Sequence, residues 1–224
     1  MKTVAIITAA GYGKRMGQPK QFLELGGKPV LEQTISVFDR TKVIDEIVLV
    51  VNPEDVERAK KFKYAKLKKV VGGGKERQDS VYNGLKALPE DVEIVAIHDG
   101  ARPFVTSEII EKAIEETKRS GAVVVGVPVK DTIKSVAGDK LQVTDTLNRN
   151  ELWAAQTPQV FKKDIILKAF HDAQGKHEVT DDAMLVEKLG IPVKMVMGLY
   201  QNIKITTPDD LIIAEGIIKE YQEK

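Results

Sequence analysis

A glycine-rich loop near the start of the chain carries Arg15 and Lys20. The loop follows a short apolar run, residues 4–7, which we interpret as a buried β-strand. Four of its residues have little or no side chain, so that backbone N–H groups can close on a ligand: Ala9, Ala10, Gly11 and Gly13. Arg15 and Lys20 add two positive charges to the same loop. Small residues combined with two cations favour the binding of a triphosphate.

Two better-known glycine-rich loops do not fit this sequence. A dinucleotide-binding fingerprint has the spacing G-x-G-x-x-G, whereas three residues separate Gly13 from Gly17. A P-loop requires G-x-x-x-x-G-K-[ST], which neither this loop nor residues 72–76 supply. For a bare glycine loop, a strand-to-helix turn with solvated cations is the better interpretation. Arg15-Met16 and Pro19-Lys20-Gln21 in one loop reverse that preference.

Residues 9–21 resemble the signature loop of nucleotidyltransferases that build sugar and polyol nucleotides. The Pro-Lys-Gln ending is similar to that of the 2-C-methyl-D-erythritol 4-phosphate cytidylyltransferases of the non-mevalonate isoprenoid pathway. Further matches extend to the last predicted strand. The resemblance implies a Rossmann-like fold and the condensation of CTP with 2-C-methyl-D-erythritol 4-phosphate, which gives 4-diphosphocytidyl-2-C-methyl-D-erythritol and pyrophosphate. It also implies Mg²⁺, or another divalent cation, held largely by the triphosphate and water.

A second glycine-rich segment, residues 72–85, follows a predicted strand at 67–71. Three glycines before a helix start expose backbone N–H groups, and Arg77, Ser80 and Gly84 lie along one helical face. A surface loop capped by a helix explains the pattern about equally well. The segment resembles the family's G-G-x-x-R-x-x-S-V-x-x-G-L. By that resemblance three residues recognise cytosine: Gly74, Lys75 and Ser80.

The predicted strand at 93–97 ends in His98-Asp99-Gly100-Ala101-Arg102-Pro103. In open α/β sheets, ligands collect outside the carboxyl ends of the strands. Asp99 is suited to hold a ribose or a magnesium-bound water, and Arg102 to hold a substrate phosphate. An Asp–Arg pair that pins a turn is the alternative. The stretch is similar to the family's H-D-x-A-R-P, which places Asp99 and Gly100 at the nucleotide and Asp99 and Arg102 at the acceptor. We interpret His98 as structural.

Residues 131–145 alternate apolar and polar types around Gly138-Asp139, a pattern that predicts a β-hairpin. A hairpin inserted into an α/β domain has little core of its own, so we expect it to pack on a second subunit. In the resembling family this segment is a dimerisation arm, which corresponds here to residues 131–155. The expected assembly is therefore a homodimer.

The resemblance assigns four further residues to the acceptor: Thr132, Arg149, Thr157 and Thr180. The segment 149–161 matches R-x-x-L-W-x-x-x-T-P-Q-x-F, which implies that Arg149 and Thr157 reach across the dimer to the acceptor phosphate. For Arg149 an interface salt bridge is the alternative. Thr180 also has the residue type and position of a helix N-cap. Lys204, a lone charge in a segment that we predict to be a strand, matches N-I-K-[IV]-T and is implied to be an active-site lysine.

Apolar runs alternate with helical patterns along the 224 residues. This predicts one α/β domain over 1–224, with a mostly parallel sheet and helices on both faces. The net charge of +1 implies no nucleic-acid partner, and the absence of cysteine excludes disulfides and thiol catalysis. No apolar run approaches 18 residues, so we expect neither a signal peptide nor a membrane span, and a cytoplasmic location.

The implied reaction joins two polyanions, because a phosphate oxygen of the acceptor attacks the α-phosphorus of CTP. Such a reaction needs positioning and fixed positive charge rather than a covalent nucleophile. We expect Arg15 and Lys20 to neutralise the α-phosphate and the leaving pyrophosphate. We expect Arg149 and Lys204, together with Arg102, to hold the attacking phosphate in line.

Two other functions remain open on the residues alone. Ribitol 5-phosphate cytidylyltransferases share the scaffold and most of these motifs, so the acceptor is less firmly predicted than the nucleotide. A nucleotide-binding regulator without catalysis belongs to a different class. It would have no need to keep all six charged groups: Arg15, Lys20, Asp99, Arg102, Arg149 and Lys204.

Replacement of Lys20 by alanine is expected to lower turnover by roughly 10²–10³, the usual loss when one donor to a transition-state charge is removed. Steady-state pyrophosphate release measures the effect. Lys63→Ala, in a lysine-rich stretch that we assign to a solvated face, serves as the matched control. A Lys20→Ala enzyme with unchanged turnover would remove this lysine from the mechanism.

Overall fold

Apolar runs of the sequence form the main sheet in the computed structural model, which describes residues 1–13, 20–138, 141–173 and 179–222. For Lys20, Tyr221 and Gln222 the description covers the backbone only. The strands are β1 Lys2–Ala9, β2 Glu24–Leu25, β3 Lys28–Pro29, β4 Glu46–Val51, β5 Leu67–Gly72, β6 Val92–Asp99, β7 Ala122–Pro128, β8 Lys134–Ala137, β9 Gln142–Thr146, β10 Trp153–Lys162 and β11 Lys194–Met197. The α-helices are α1 Val30–Arg40, α2 Val56–Ala59, α3 Arg77–Lys86, α4 Ser107–Ser120, α5 Lys163–Asp172, α6 Asp182–Glu187 and α7 Pro208–Gln222.

Within the described part of the chain, seven strands form the main sheet in the order β11-β7-β10-β6-β1-β4-β5. The pairs β1–β4, β1–β6, β4–β5 and β7–β11 are parallel, and β10 is antiparallel to both of its neighbours. This arrangement confirms the predicted α/β class with a mostly parallel sheet. The carboxyl ends of the adjacent strands β1 and β6 therefore lie side by side, with Thr8 in register with Asp99.

Each face of the sheet is covered by helices, because the central strands are apolar on both sides. Ala5 and Ile7 of β1 pack in the same buried cluster as apolar residues of α1 and α4. Val4 and Ile6 of the same strand face the other way, into a cluster with α3, α5 and α6. The period-two alternation of one strand thus builds two cores.

Gly84 explains how α3 lies so close to the sheet. A Cβ atom at this position would stand 2.6 Å from Cγ2 of Ile6 and 3.1 Å from Cγ2 of Val50. Only a glycine allows the helix backbone to approach the strands at that distance. The close contact holds α3 against β1 and β4.

The strand β10 was not predicted. We had assigned residues up to 155 to the arm, whereas Trp153–Ala155 pair with β7 and Gln159–Lys162 pair with both β7 and β6. The register shifts between Ala155 and Gln159, where the Thr157–Pro158 peptide is cis. Thr157 therefore lies inside the main sheet, beside the carboxyl end of β6.

The predicted hairpin is present as β8 and β9, which pair with each other in a separate two-stranded sheet. Its residues are largely exposed, including the apolar side chains of Val136, Leu141 and Val143. The strand predicted around Lys204 is wrong: residues 202–206 are neither strand nor helix, and α7 follows them with Pro208 as its first residue. Among the described residues, no helix has both the length and the apolar character that crossing a membrane requires.

Candidate active site

A cleft of about 490 Å³ opens at the carboxyl ends of β1 and β6. This is the edge at which ligands bind in open α/β sheets. Nine of the predicted site residues line the cleft: Ala9, Ala10, Gly11, Gly13, Gly74, Lys75, Ser80, Asp99 and Lys204. Residues that we had not assigned to the site also line it, among them Thr8, Tyr12, Gln21, Arg77 and Thr206. The fold thus joins the first loop, the segment after β5, the end of β6 and the segment before α7.

The glycines of the two loops serve different purposes. A Cβ atom on Gly11 would meet nothing within 4 Å, so the space beside its backbone is open to a ligand. Gly13 has a φ of +64°, a conformation that other residues adopt at a cost. In the second loop, a Cβ atom on Gly73 or Gly74 would collide with the protein itself, at 2.3 Å from Cβ of Ala10 or 2.2 Å from Cβ of Asp79.

Ser80 is buried and holds the second loop against α3. Its hydroxyl donates to the carbonyl oxygen of Glu76 at 3.1 Å and accepts from the backbone N–H of Gly74 at 3.1 Å. In this structure Ser80 therefore orders the loop from within. Lys75 lies between Gly74 and Glu76 in the chain. Its side chain is exposed and lines the cleft.

Asp99 is the meeting point of the charges in the cleft. Its Oδ2 lies 2.9 Å from Nζ of Lys204 and 3.4 Å from Nε of Arg102, and its Oδ1 lies 3.5 Å from Nε of Arg77. Burial alone would raise the pKa of this carboxyl. The charges of Lys204, Arg77 and Arg102 outweigh burial and hold the pKa of Asp99 well below its usual range. Asp99 is consequently a buried anion at neutral pH.

Lys204 reaches Asp99 because a backbone bond ties its segment to the end of β6. The N–H of Ile205 donates to the carbonyl oxygen of Ala101 at 2.9 Å. Nη1 of Arg102 donates to the carbonyl oxygen of Asn202 at 2.8 Å, which adds a second tie. Burial lowers the pKa of Arg102, and the charge of Asp99 opposes that effect. Arg102 thus lies behind Asp99 and supports it, outside the lining of the cleft.

His98 and Thr157 form a buried network under the cleft. Nε2 of His98 lies 3.1 Å from the carbonyl oxygen of Arg102, which can only accept, so Nε2 carries the proton. Nδ1 must then accept from the hydroxyl of Thr157 at 3.0 Å. The same hydroxyl oxygen accepts from the N–H of Asp99 at 3.1 Å. Within one chain the hydroxyl of Thr157 is therefore engaged in holding Asp99.

The sequence pattern did not reveal the partner of Arg77. Its guanidinium donates to both carboxylate oxygens of Asp182, from Nη1 at 2.9 Å and from Nη2 at 2.7 Å. Burial alone would lower the pKa of Arg77. The charges of Asp182 and Asp99 outweigh burial and raise this pKa above its usual range. Burial raises the pKa of Asp182, and the guanidinium opposes that rise. The motif match at Arg77 was a usable signal, whereas nothing local pointed to Asp182.

Three of the residues assigned to the acceptor are exposed and do not line the cleft of a single chain: Thr132, Arg149 and Thr180. Nη1 of Arg149 donates to the carbonyl oxygen of Lys130, the residue before the arm, at 2.7 Å. The N-cap prediction for Thr180 is wrong, because Asp181 precedes α6 and accepts from the N–H of Met184 at 3.0 Å. The carboxylate of Asp181, one residue after Thr180, therefore accepts from the unpaired N–H in the first turn of the helix.

The two cations of the first loop complete the account of the predicted residues. Arg15 lies outside the described residues. Lys20 begins a short 3₁₀ helix, Lys20–Phe22, of which its backbone is part.

Gly100 is buried at the end of β6, where a Cβ atom would stand 2.9 Å from Cδ1 of Leu31. Its N–H donates to the carbonyl oxygen of Thr8 at 2.8 Å, which joins the two strand ends.

A magnesium ion has no ready set of protein ligands in the part of the cleft that the structure describes. The carboxylates that line it there are Asp99 and Glu76, and both oxygens of Asp99 already face cations. The described residues also contain no cluster of three or more histidine, cysteine, aspartate or glutamate side chains arranged for a metal. The described residues therefore offer Mg²⁺ isolated carboxylates and not a cluster of protein ligands.

Comparison with known proteins identifies close relatives over the whole chain. Residues 3–220 match the protein family described as 2-C-methyl-D-erythritol 4-phosphate cytidylyltransferase. An enzyme of that name from Alkaliphilus oremlandii is 50% identical, over 99% of this chain and 97% of its own. The crystal structure of 4-diphosphocytidyl-2C-methyl-D-erythritol synthase from Anaerococcus prevotii superposes with a TM-score of 0.87 and 38% identity, covering 97% of this chain and 96% of its own. The 2-C-methyl-D-erythritol 4-phosphate cytidylyltransferase of Francisella tularensis has a TM-score of 0.83 and 34% identity, over 96% and 99% of the two chains.

The buried His98 predicts a specific pH dependence of stability. Burial, the largest influence, lowers the pKa of His98 to about 4 from the 6.5 of a free histidine. Between these values only the unfolded chain takes up the proton, so this contribution to stability is complete above pH 6.5 and falls as the pH drops toward 4. The loss amounts to about 3 kcal/mol.

Urea unfolding at pH 7 and pH 4.5 measures this contribution. His98→Gln should lose less of its free energy of unfolding over this interval than the wild-type chain does. His171→Gln, at an exposed position, is the control and should behave as wild type. Equal pH dependence in His98→Gln and the wild type would contradict the assignment of His98 as a neutral buried group.

Proposed function

The chain belongs to the 2-C-methyl-D-erythritol 4-phosphate cytidylyltransferase family, and from that premise we propose that the cleft at the carboxyl ends of β1 and β6 is where it joins CTP to its acceptor. The enzyme is a nucleotidyltransferase that uses CTP and 2-C-methyl-D-erythritol 4-phosphate. The comparisons favour neither ribitol 5-phosphate as the acceptor nor a regulator without catalysis. The observation that carries the proposal is Lys204, whose ammonium lies 2.9 Å from buried Asp99 in the cleft that the open backbone of Gly11 also lines.

In the proposed reaction a phosphate oxygen of the acceptor forms a bond to the α-phosphorus of CTP. The bond from that phosphorus to the oxygen shared with the β-phosphate breaks, and pyrophosphate leaves with the electron pair. The attacking phosphate is already ionised near pH 7, so no protein base is required. Repulsion between the two polyanions is the main obstacle, and fixed cations lower it most effectively when they need not reorganise.

Each cation has a proposed part in this step. Arg15 and Lys20 neutralise the α-phosphate and the leaving pyrophosphate, as the resemblance of the first loop implies. Lys204 holds the attacking phosphate, and Arg102 supports it through Asp99. Two groups of predicted nucleotide contacts complete the site: the first loop with Ala9, Ala10, Gly11 and Gly13, and the second set with Gly74, Lys75, Ser80, Asp99 and Gly100.

Mg²⁺, or another divalent cation, remains the proposed cofactor. When bound, such a cation neutralises charge on the triphosphate. Because the cleft residues described do not form a direct ligand set, the triphosphate oxygens and water are its proposed ligands. Asp99 is suited at most to orient a metal-bound water, and only after a cation has left one of its oxygens.

The acceptor side is proposed to include a second copy of the chain. Val136, Leu141 and Val143 expose apolar surface on the arm, and the exposed residues Arg149 and Thr132 do not line the cleft of their own chain. Exposed apolar side chains on a small hairpin favour burial in an interface. A homodimer formed through the arm would bring Arg149 of one chain toward the acceptor bound in the other. Thr157 and Thr180 remain proposed acceptor contacts by resemblance.

Pyrophosphate release with CTP and magnesium tests the function directly. We expect strong release with 2-C-methyl-D-erythritol 4-phosphate and little with ribitol 5-phosphate or without an acceptor. Preference for ribitol 5-phosphate would keep the reaction class and change the substrate. Tight CTP binding without release for any acceptor would instead support a regulator.

Two variants test the dimer and the role of Arg149 separately. Arg149→Ala should keep the mass of a dimer in light scattering and retain CTP binding, while the KM for the acceptor rises. Val136→Asp/Val143→Asp should give the mass of a single chain, because charges replace the apolar surface of the hairpin. A monomeric wild type would overturn the proposal, and equal loss of CTP and acceptor binding in Arg149→Ala would reduce Arg149 to a structural role.

A further inference from the structure

Arg77 lies between two buried carboxylates and contacts each with a different part of its guanidinium. Nη1 and Nη2 face Asp182 at 2.9 and 2.7 Å, and Nε faces Oδ1 of Asp99 at 3.5 Å. The side chains of Asp182 and Asp99 are 2% and 9% exposed. We propose that Arg77, anchored by Asp182, is a positioning residue that orients the Asp99 carboxylate and through it holds Lys204 in the cleft. This inference deepens the proposed function and rests on it for its kinetic consequences.

The anchor of Arg77 is fixed to the central sheet. The side-chain oxygen of Gln159, in β10, accepts from the N–H groups of Asp182 and Ala183, both at 3.0 Å. The side-chain nitrogen of Gln159 donates to Oδ2 of Asp181 at 2.8 Å. Gln159 is itself buried between β6 and β7. Three hydrogen bonds from Gln159 therefore attach the start of α6 to the sheet, and Asp182 offers Arg77 a support that is fixed to it.

The two oxygens of Asp99 have different cation partners. Oδ2 contacts Lys204 and Arg102, whereas Oδ1 contacts Arg77. A carboxylate can rotate about its Cβ–Cγ bond unless both oxygens are held, because the torsion next to a planar group is soft. With Oδ1 held by Arg77, Oδ2 stays directed at Lys204. Without Arg77, rotation of the carboxylate would release the ammonium from its fixed position.

The geometry requires arginine rather than any cation. The planar guanidinium presents Nε on one side and the two terminal nitrogens on another, so one side chain can serve two carboxylates in fixed directions. A lysine ammonium is a compact charge and can approach only one of them at these distances. Arg77→Lys should therefore keep a cation in the pair without restoring the hold on Asp99.

The competing explanation is that Arg77 and Asp182 are merely a buried ion pair that stabilises the fold. Such a pair can be replaced by uncharged groups with little loss of stability, whereas removing one partner leaves a buried charge unpaired. The double variant Arg77→Gln/Asp182→Asn separates the two explanations, because it removes both charges and also removes the hold on Asp99. Arg119→Gln, which loses an exposed contact to Glu116 on α4, is the matched control for the arginine.

The kinetic test measures each variant with CTP and 2-C-methyl-D-erythritol 4-phosphate as substrates. Rates are divided by the amount of folded protein. We expect Arg77→Gln alone to have a lower Tm than the wild-type chain. The double variant should have the wild-type Tm. Its kcat/KM for the acceptor should stay about tenfold or more below wild type, because the attacking phosphate is no longer held in place, while the KM for CTP changes less than about threefold. Arg77→Lys should show the same acceptor defect, and Arg119→Gln none. Wild-type kinetics in the double variant or in Arg77→Lys would overturn the proposal.

A structural test does not depend on the reaction. In a crystal structure of the double variant we expect the Asp99 carboxylate to be rotated and Nζ of Lys204 to have left its position 2.9 Å from Oδ2. An unchanged contact would overturn the proposal whatever the activity. If the wild-type chain released no pyrophosphate with any acceptor, the proposed function would fail. This structural comparison would still decide the role of Arg77.

Discussion

The site depends on the burial of one carboxylate, that of Asp99. Removing a carboxylate from water is costly unless positive charge and hydrogen bonds accompany it. Lys204, Arg77 and Arg102 supply that charge from three segments of the chain. Asp99 in turn keeps these cations close together while no ligand is bound. Because three cations share one buried anion, positive charge remains available for an anionic substrate.

The fold makes this arrangement stiff by fixing every contributing segment to the sheet. Asp99 ends β6 beside β1, and the Ile205–Ala101 backbone bond attaches the segment that carries Lys204. Gln159 of β10 attaches the start of α6. Cations held in this way need little reorganisation when charge develops during phosphoryl transfer, and preorganisation of this kind is the main means of catalysis without a covalent nucleophile.

Much of this arrangement could be predicted from sequence, because its parts carry local signals. Apolar runs gave the parallel strands, and the position of Asp99 after one such run placed it at the carboxyl edge of the sheet. The contacts between distant segments carry no local signal. The pairing of Arg77 with Asp182 spans 105 positions, and the insertion of β10 between β6 and β7 depends on tertiary pairing. Lys204 illustrates the difference: its alternating neighbours suggested a strand, but its segment is attached by one backbone bond to Ala101 and by the Arg102–Asn202 contact rather than by a ladder.

The charges also bear on the proposal that a second copy of the chain contributes to the acceptor side. Asp99 engages Lys204, and Arg102 is turned toward Asp99 and Asn202 behind the cleft. A phosphate that enters must therefore compete with Asp99 for Lys204, and a single ammonium makes only one strong point contact. A planar guanidinium would add bidentate binding, yet Arg149 lies exposed in the arm and donates to its own Lys130 carbonyl. That bond is to an exposed backbone oxygen, which water can replace at little cost. An arginine in this state can be redirected to a neighbouring copy's acceptor phosphate far more easily than buried Arg77 or Arg102 can be redirected within the chain.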